Sequence, residues 1–253
     1  MEPRKQIEIE YYDKRAQDSE GDFEGFNSRD LGSFRFCYRW LRENCKDKII
    51  LDYGCGNGIH ALEIAKMGVE KVIGIDLSEK SLGIAKERAK REGLEEKIEF
   101  LTMDCEKMEF PDNYFDIIFD GGTFSSLDLK LAFPKLARIL KPEGILIGIE
   151  TFGHNPFTNL KRMINKLIGK RTSWAAKHIF RMEDLEKAKN YFNKIEAYYF
   201  HLISWPAFPF LNLPGGKLLL KSLEFIDKIL LELPFLKKYA FKVVFIFSEP
   251  RLK

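Results

Sequence analysis

The stretch that decides the fold runs from Ile50 to Ala65 and reads ILDYGCGNGIHALEIA, with Gly54, Gly56 and Gly58 at its centre. An apolar run ends in these glycines and is followed by apolar residues at helical spacing, which predicts a strand, a tight turn and a helix. Because glycine has no Cβ, the backbone can turn sharply and a ligand can approach the main-chain N–H groups that start the helix. We therefore expect a nucleotide-like ligand at this turn.

The spacing of the glycines narrows the choice of ligand. A dinucleotide-binding turn has the pattern G-x-G-x-x-G, which would place its third glycine at position 59, where the chain has Ile59. The pattern here is G-x-G-x-G instead, so a nicotinamide cofactor is not the first expectation.

The same alternation of apolar runs and helical spacing continues along the chain. We expect strands over residues 48–54, 71–76, 98–102, 115–120 and 145–150, and later over 195–203 and 240–247. Helices are expected over 61–67, 78–91, 127–140 and 182–192, the second capped by Ser78 and the third ended by Lys141-Pro-Glu-Gly. Strands that alternate with helices indicate a parallel sheet with helices on both faces.

An insert of about thirty-five residues, 204–238, separates the last two strands. It begins with an apolar, proline-rich segment and continues as an expected amphipathic helix over 217–233, with one apolar face formed by Leu219, Leu223, Ile226, Leu230 and Leu233. Residues 197–216 carry no formal charge, but three prolines and a glycine pair break any spanning helix there. The insert is either a cap packed on the core or a lid over an apolar substrate, and a lid of this kind is also able to rest on a membrane surface.

Composition limits the class of protein. The chain has 253 residues, 45% hydrophobic and 31% charged, which is typical of a soluble globular protein with one large domain. The start of the chain lacks the apolar run of a signal peptide, so we expect a cytoplasmic protein. The four cysteines, Cys37, Cys45, Cys55 and Cys105, do not have metal-ligand spacing, and we predict no metal site.

Charge is distributed unevenly between the two parts of the chain. Residues 1–150 hold 23 Lys and Arg against 30 Asp and Glu, whereas residues 151–253 hold 18 against 8. The second part therefore carries a net charge of +10, which indicates either an anionic partner or a solvated basic face.

Five motifs, in this order, resemble those of the class I S-adenosylmethionine-dependent methyltransferases. The first is the hydrophobic run, the acidic Asp52 and the G-x-G-x-G turn. The second is Asp76 in VIGIDLS at the end of the second strand, and the third is Asp104 in LTMDC after the third strand. The segments FDIIFDGG, residues 115–122, and LARILKPEGIL, residues 136–146, resemble the fourth motif and the approach to the fifth strand.

The resemblance covers about residues 46–151 and implies both fold and domain organisation. It implies an α/β fold with a Rossmann-like, doubly wound, seven-stranded sheet, mostly parallel with an antiparallel C-terminal strand, and a helical and aromatic cap insert between the last two strands. It divides the chain into three parts. Residues 1–45 form a helical segment that closes the cofactor site, and residues 46–151 form the cofactor-binding core. Residues 152–253 form the C-terminal part of the sheet with a substrate cap at about 204–238.

The resemblance also implies S-adenosyl-L-methionine as cofactor and assigns residues to it. Asp76 would accept hydrogen bonds from both ribose hydroxyls and Asp104 from the adenine amino group, and Asp52 and Gly54 would lie near the amino-acid end, with His60 a weaker candidate. The full expected set is Tyr12, Asp52, Gly54, Cys55, Gly56, Gly58, Asp76, Leu77, Asp104, Cys105 and Asp120.

Methyl transfer needs alignment of acceptor, methyl and sulfur, and an acidic acceptor also needs a base. His154 follows the fifth strand, at the edge where open parallel sheets bind their ligands, and is the candidate catalytic residue; a structural or solvated histidine is the alternative. Glu150, His178 and His201 are weaker candidates.

Absent motifs narrow the acceptor. Asp120-Gly-Gly-Thr stands where methyltransferases that act on the amino groups of nucleic-acid bases have Asn/Asp-Pro-Pro-Tyr/Phe. Cytosine-C5 methyltransferases use a Pro-Cys pair near the fourth strand, and this chain has no cysteine after Cys105. We therefore expect a small, lipophilic or conjugated acceptor. Two alternatives stay open: an RNA or protein methyltransferase that uses a basic cluster, and a noncatalytic cofactor-binding module. The basic cluster would be Arg162, Lys166, Lys170 and Arg171.

Overall fold

The computed structural model describes residues 2–18, 28–167 and 172–251. Seven strands lie within these residues: β1 Ile49–Tyr53, β2 Lys71–Asp76, β3 Ile98–Thr102, β4 Phe115–Asp120, β5 Leu140–Thr151, β6 Phe192–Phe200 and β7 Lys242–Pro250. The α-helices there are α1 Pro3–Asp18, α2 Gly32–Asn44, α3 Ile59–Ala65, α4 Glu79–Arg91, α5 Leu129–Ile139, α6 Pro156–Leu167, α7 Ser173–Lys177, α8 Met182–Ala188, α9 Gly216–Leu230 and α10 Pro234–Lys237.

The strands form one sheet in the order β3-β2-β1-β4-β5-β7-β6. Strand β7 is antiparallel to both of its neighbours, β5 and β6, and the pairs among β1 to β5 are parallel. The expected doubly wound sheet with an antiparallel C-terminal strand is confirmed. Because the order reverses between β1 and β4, the crevice where such folds bind ligands opens at the carboxyl ends of these two strands.

The sheet separates two apolar cores. One core lies against α2, α3 and α4 and also receives Phe208 and Leu220 from the insert. The other lies against α5 and α8 and contains a group of buried phenylalanines that includes Phe124, Phe133 and Phe245. All four cysteines are buried in their reduced form. The strands of a sheet covered on both faces are apolar on both faces, which explains the continuous apolar runs in the sequence.

The boundary predicted before β5 was wrong. We expected Lys141-Pro-Glu-Gly to end the helix before β5, but α5 ends at Ile139 and these residues already belong to β5. Leu140 pairs with Phe115 of β4, and the register shifts between Phe115 and Ile117. The strand therefore begins with an irregular pair, which allows a proline near its start.

The insert folds as a 3₁₀ turn, Trp205–Phe210, followed by α9 and α10. The expected apolar face of its long helix is only partly covered: Leu223 packs against the core, but Leu219, Ile226 and Leu233 are exposed. The face that packs inward carries Leu220 and Asp227. The Asp227 carboxylate accepts hydrogen bonds from the backbone N–H groups of residues 203 and 204, at 2.7 and 3.2 Å, and this buried polar contact fixes the rotation of the helix.

The aromatic side chains of the insert do not share one role. Phe208 is buried against the rings of His201 and Phe241, whereas Phe210, Phe225 and Phe235 are exposed. Among the described helices, none combines the length and the apolar character that crossing a bilayer requires.

Candidate functional site

The three glycines of the turn after β1 have different surroundings. Gly54 has a φ of +70°, and a Cβ there would lie 2.3 Å from the Thr123 hydroxyl oxygen. Gly56 has a φ of +52°, and a Cβ there would meet nothing within 4 Å. Gly58, with a φ of +78°, packs against Ala85 and Phe100. Gly54 and Gly58 therefore permit close packing, and Gly56 faces open space.

That open space is a cavity of about 210 Å³ at the carboxyl ends of the central strands. Helix α1 supplies one wall, and the loops after β1, β2, β3 and β4 supply the rest. Seven of the expected cofactor residues line it: Tyr12, Gly54, Gly56, Asp76, Leu77, Asp104 and Cys105. Four others, Asp52, Cys55, Gly58 and Asp120, lie outside its lining.

Asp76 is fixed by main-chain donors on both oxygens. Its Oδ2 accepts a hydrogen bond from the Gly56 N–H at 2.9 Å, and its Oδ1 accepts one from the Ser78 N–H at 2.8 Å. Burial raises the pKa of this carboxyl, and these amides oppose the rise. Since each carboxylate oxygen has two lone pairs, both oxygens can still accept a donor from the cavity.

Asp104 has partners that the sequence did not reveal. Lys5, from α1, places its Nζ 2.5 Å from Oδ2 of Asp104 and 2.7 Å from Oε2 of Glu106. Arg4 also pairs with Glu106 at 2.7 Å. Burial by itself would raise the pKa of Glu106. The two cations and the N–H of Asp128 outweigh burial and hold this pKa below its usual value. These ion pairs fasten the start of α1 to the loop after β3.

Glu8 also faces the cavity from α1. Its residue is 7% exposed, and neither carboxylate oxygen has a hydrogen-bond partner among the described residues. An unpaired buried carboxylate is costly, so a donor or a cation is expected opposite it. The lining contains four carboxyl groups, of Glu8, Asp76, Asp104 and Glu106, and one ammonium group, of Lys5. This arrangement fits a cofactor that carries positive charge and several hydrogen-bond donors.

Two expected acids lie beneath the cavity instead of in its wall. Asp52 is buried, and neither of its carboxylate oxygens lies within hydrogen-bonding geometry of a donor among the described residues. Burial raises its pKa to about 7, and the backbone N–H of Ala61 opposes this rise. Asp120 accepts a hydrogen bond from the Thr123 N–H at 3.0 Å. Burial and the nearby Glu150 carboxylate raise the pKa of Asp120 well above its usual value. Asp120 therefore fixes the turn after β4.

His154 lies outside the cavity lining. Its Nε2 accepts a hydrogen bond from the Met182 N–H at 3.2 Å and is 3.5 Å from the Glu183 carboxylate. Burial is the main cause that lowers the pKa of the imidazole. Because its Nε2 lone pair already has a donor, the structure does not place this histidine as a base at the cavity.

His60 also lies outside the cavity lining, but it packs against a residue of that lining. The Nδ1 of His60, in the first turn of α3, is 2.6 Å from the hydroxyl of Tyr38, and its ring stacks on Phe34 at 6.0 Å. Gly121 lines the cavity, and a Cβ there would lie 2.8 Å from Cδ2 and 3.0 Å from Nε2 of His60. The Nε2 edge of the ring therefore faces the rim of the cavity.

Of the remaining weak candidates, His201 is fully buried between the hydroxyl groups of Ser33 and Ser204. His178 stacks on Trp174 at 3.7 Å. The Oε1 of Glu150 accepts a hydrogen bond from the Phe124 N–H at 2.7 Å. None of these three lines the cavity beside the glycine turn.

The sequence predicted that a helical segment within 1–45 closes the site and that Tyr12 takes part, but it did not reveal the other wall residues of α1, Lys5, Glu8 and Ile9. Lys5, Glu8, Ile9 and Tyr12 all line the cavity and are spaced three or four residues apart on one helix face. That spacing was visible in the sequence, but it contains only one strongly apolar residue. Thr123 and Ser126, after β4, were also missed because no motif marks them.

The expected nucleic-acid cluster is divided by the structure. Arg162 is buried, and its guanidinium donates to the carbonyl oxygen of Phe152 at 3.0 Å and to Asn159 at 2.7 Å. Lys166 is exposed, and Lys170 and Arg171 lie outside the described residues. Arg162 therefore holds α6 to the body of the protein and is not available at the surface.

Comparisons with known proteins agree with this site. A family profile described as methyltransferase domain matches residues 51–148. A sterol 24-C-methyltransferase of Gibberella zeae is 39% identical over 97 residues, which are 38% of this chain and 26% of that protein. A demethylmenaquinone methyltransferase of Bacteroides fragilis is 36% identical over 120 residues, 46% of this chain and 48% of that protein.

Solved structures extend the likeness over the whole fold. Geranyl diphosphate C-methyltransferase of Streptomyces coelicolor, solved with S-adenosyl-L-homocysteine, superposes with a TM-score of 0.64 at 12% identity, covering 99% of this chain and 98% of that one. This likeness concerns the fold alone. The chain spans a quarter to a half of the length of the two curated relatives above. The match at residues 51–148 agrees with the resemblance of this core to the class I S-adenosylmethionine-dependent methyltransferases.

Proposed function

We propose that this protein transfers the methyl group of S-adenosylmethionine to a small, lipophilic acceptor by in-line displacement. The observation that carries the proposal is the cavity beside the glycine turn, with four carboxyl groups and one ammonium group in its lining. The cofactor has a sulfonium cation, two ribose hydroxyls and two amino groups, all of which suit carboxylate partners.

Three of the four acids of the lining contact the cofactor in this proposal. Asp76 accepts both ribose hydroxyls on its remaining lone pairs, since the amides of Gly56 and Ser78 keep its carboxylate in place. Asp104 accepts the adenine amino group while Lys5 holds its other side. Glu8, the acid without a partner among the described residues, faces the positive charge of the cofactor.

When bound, S-adenosylmethionine supplies a methyl group activated by a positively charged sulfur. The chain contributes alignment and the exclusion of water, which together account for most of the acceleration in such displacements. Helix α1 excludes water by covering the cavity, and the hydroxyl groups of Tyr12 and Ser126, 3.1 Å apart, join this helix to the loop after β4.

An acidic acceptor also requires removal of a proton. His154 remains our sequence-based prediction for this base, but the position of His60 favours His60. When Nδ1–H of His60 donates to the Tyr38 oxygen, the Nε2 lone pair is directed to the cavity rim at Gly121. Tyr38 stays protonated, because burial raises its pKa well above the usual value.

The lipophilic acceptor is supported by the relatives and by the surface. Two of the similar proteins are named for sterol and demethylmenaquinone substrates, although the family profile ends at residue 148, before the region expected to contact an acceptor. The region that follows, from α6 onward, exposes many apolar side chains. The inward position of Arg162 weighs against the RNA or protein acceptor.

The cofactor assignment is tested by calorimetry with S-adenosylhomocysteine. Asp76→Ala is expected to weaken binding by on the order of tenfold or more, because two charge-assisted hydrogen bonds are lost. Asp112→Ala is the matched control, since this exposed acid lies away from the cavity and pairs with Arg138. Equal affinity of both variants, or preferential binding of a nicotinamide nucleotide, would refute the assignment.

The base is tested by methyl transfer from labelled cofactor to a lipid extract. His60→Gln is expected to lower turnover by on the order of 10²-fold or more, with cofactor affinity nearly unchanged. His154→Gln is expected to leave turnover within about threefold of the wild type, since removal of a base alone costs far more. A large loss of turnover in His154→Gln, with little loss in His60→Gln, would instead identify His154 as the base.

A further inference from the structure

Helix α6 has its polar and apolar faces reversed relative to an ordinary surface helix. Its inward face carries Thr158 and Arg162, which are both buried. Its outward face carries five large apolar side chains, between 48% and 78% exposed: Phe157, Leu160, Met163, Ile164 and Leu167. A surface helix usually turns its apolar stripe to the core, so this outward stripe requires another explanation.

The reversal is fixed by directed hydrogen bonds. The guanidinium of Arg162 donates to the carbonyl oxygen of Phe152 and to the side chains of Thr158 and Asn159. The Asn159 amide donates to the carbonyl oxygen of Gly153 at 2.9 Å. Rotating α6 to bury its apolar face would break these bonds and leave a buried guanidinium unpaired, which is strongly unfavourable.

The insert presents a second outward apolar face beside it. Helix α9 packs inward through Leu220 and Asp227, and the short helix α10 follows it with no buried residue. Their exposed side includes Leu218, Phe225, Ile229, Leu233 and Phe235. The two helical regions meet where the Asn155 amide, at the start of α6, donates to the carbonyl oxygen of Tyr239, just after α10, at 2.9 Å.

The charge around α6 indicates what covers these faces. Residues 152–181 contain seven Lys and Arg and no Asp or Glu. A second copy of this chain would bring a similarly cationic segment against it, which is repulsive, whereas an anionic lipid surface is complementary. An apolar stripe with neighbouring basic residues on a helix that does not span is typical of binding in the plane of a membrane interface.

We propose that α6, together with α9 and α10, docks this protein on anionic lipid bilayers. The apolar side chains enter the boundary between headgroups and acyl chains, and the exposed Lys166, Lys177 and Arg181 contact the lipid phosphates. Docking itself is independent of the proposed function; its use, access to a lipophilic acceptor dissolved in the bilayer, rests on that function.

The test is sedimentation of the full chain with vesicles of phosphatidylcholine mixed with phosphatidylglycerol. The wild type is expected to bind, and more weakly in high salt or with phosphatidylcholine alone. The double variant Leu160→Gln and Ile164→Gln is expected to bind more weakly than the wild type by on the order of tenfold or more, because two inserted apolar side chains are lost. Leu131→Gln, at an exposed leucine of α5, is the matched control and is expected to bind normally.

Several results would overturn the proposal: no binding to the anionic vesicles, equal binding by the double variant and the wild type, or a dimer in light scattering that the double variant abolishes. Calorimetry with S-adenosylhomocysteine, without vesicles, keeps the two proposals apart. The double variant should bind the cofactor normally, which also shows that it is folded. Loss of vesicle binding with intact cofactor binding concerns docking alone, and failure of the wild type to bind cofactor concerns the proposed function.

Discussion

The glycine turn allows a sharp test, because Gly54 and Gly56 differ in the space around them. Both have a positive φ, so an alanine at either position costs about 1–2 kcal/mol in backbone conformation. At Gly54 the new Cβ would also lie 2.3 Å from Thr123, and such overpacking adds about 1–3 kcal/mol. Gly54→Ala is therefore expected to lose about 2–5 kcal/mol of unfolding free energy, and Gly56→Ala about 1–2 kcal/mol.

Urea unfolding of the cofactor-free protein measures both values. A third variant, Thr123→Ala combined with Gly54→Ala, removes the two Thr123 atoms that the new Cβ would approach most closely and should recover part of the loss as a coupling energy. Equal losses for the two single variants, together with no coupling to Thr123, would refute the view that contact with this side chain makes glycine necessary at position 54.

Three further predictions concern other buried groups. The folded chain raises the pKa of Asp52 from 3.8 to about 7, so the folded state holds an extra proton between these values and stability falls as pH rises through them. Asp52→Asn should remove this fall and be up to about 4 kcal/mol more stable than the wild type at pH 8, as urea unfolding at pH 4.5 and pH 8 will show. Leu220→Ala should cost about 2–5 kcal/mol and Leu219→Ala less than about 0.5 kcal/mol in the same assay, and similar losses would contradict the rotation of α9. Glu8→Gln should weaken S-adenosylhomocysteine much less than S-adenosylmethionine, because only the latter carries the sulfonium charge; calorimetric affinities reduced equally would remove Glu8 from that role.

The parts of the fold encoded locally were predictable from the sequence. The strand, turn and helix at 50–65 and the acids that follow β2 and β3 depend on residues close in the chain, and the structure brings Gly56, Asp76 and Asp104 to one cavity. The cap of α4 is equally local, since the Ser78 hydroxyl accepts the Ser81 N–H at 3.0 Å. Local patterns of this kind specify both the element and its end.

Features that depend on distant contacts were not predictable. Lys5 reaches Asp104 across 99 positions of the sequence, and no short pattern records such a pair. The face of helix α9 that packs inward is set by Asp227, whose carboxylate accepts hydrogen bonds from backbone N–H groups of residues 203 and 204. This polar contact outweighs the preference of the apolar residues of α9 for the inward face. The hydrogen bond from Met182 to His154 likewise follows from a packing between elements that periodicity does not describe.

The ion pairs of α1 also constrain the order in which the cavity can be built. The partners of Lys5 and Arg4, Asp104 and Glu106, are synthesised about a hundred residues after them, and the Ser126 partner of Tyr12 later still. Until then, α1 can contact Ser78 and helix α4 but not these partners. The complete cavity therefore forms only after β4 and the loop that follows it have emerged, when four of the seven described strands have been synthesised and α1 can fold back over their ends.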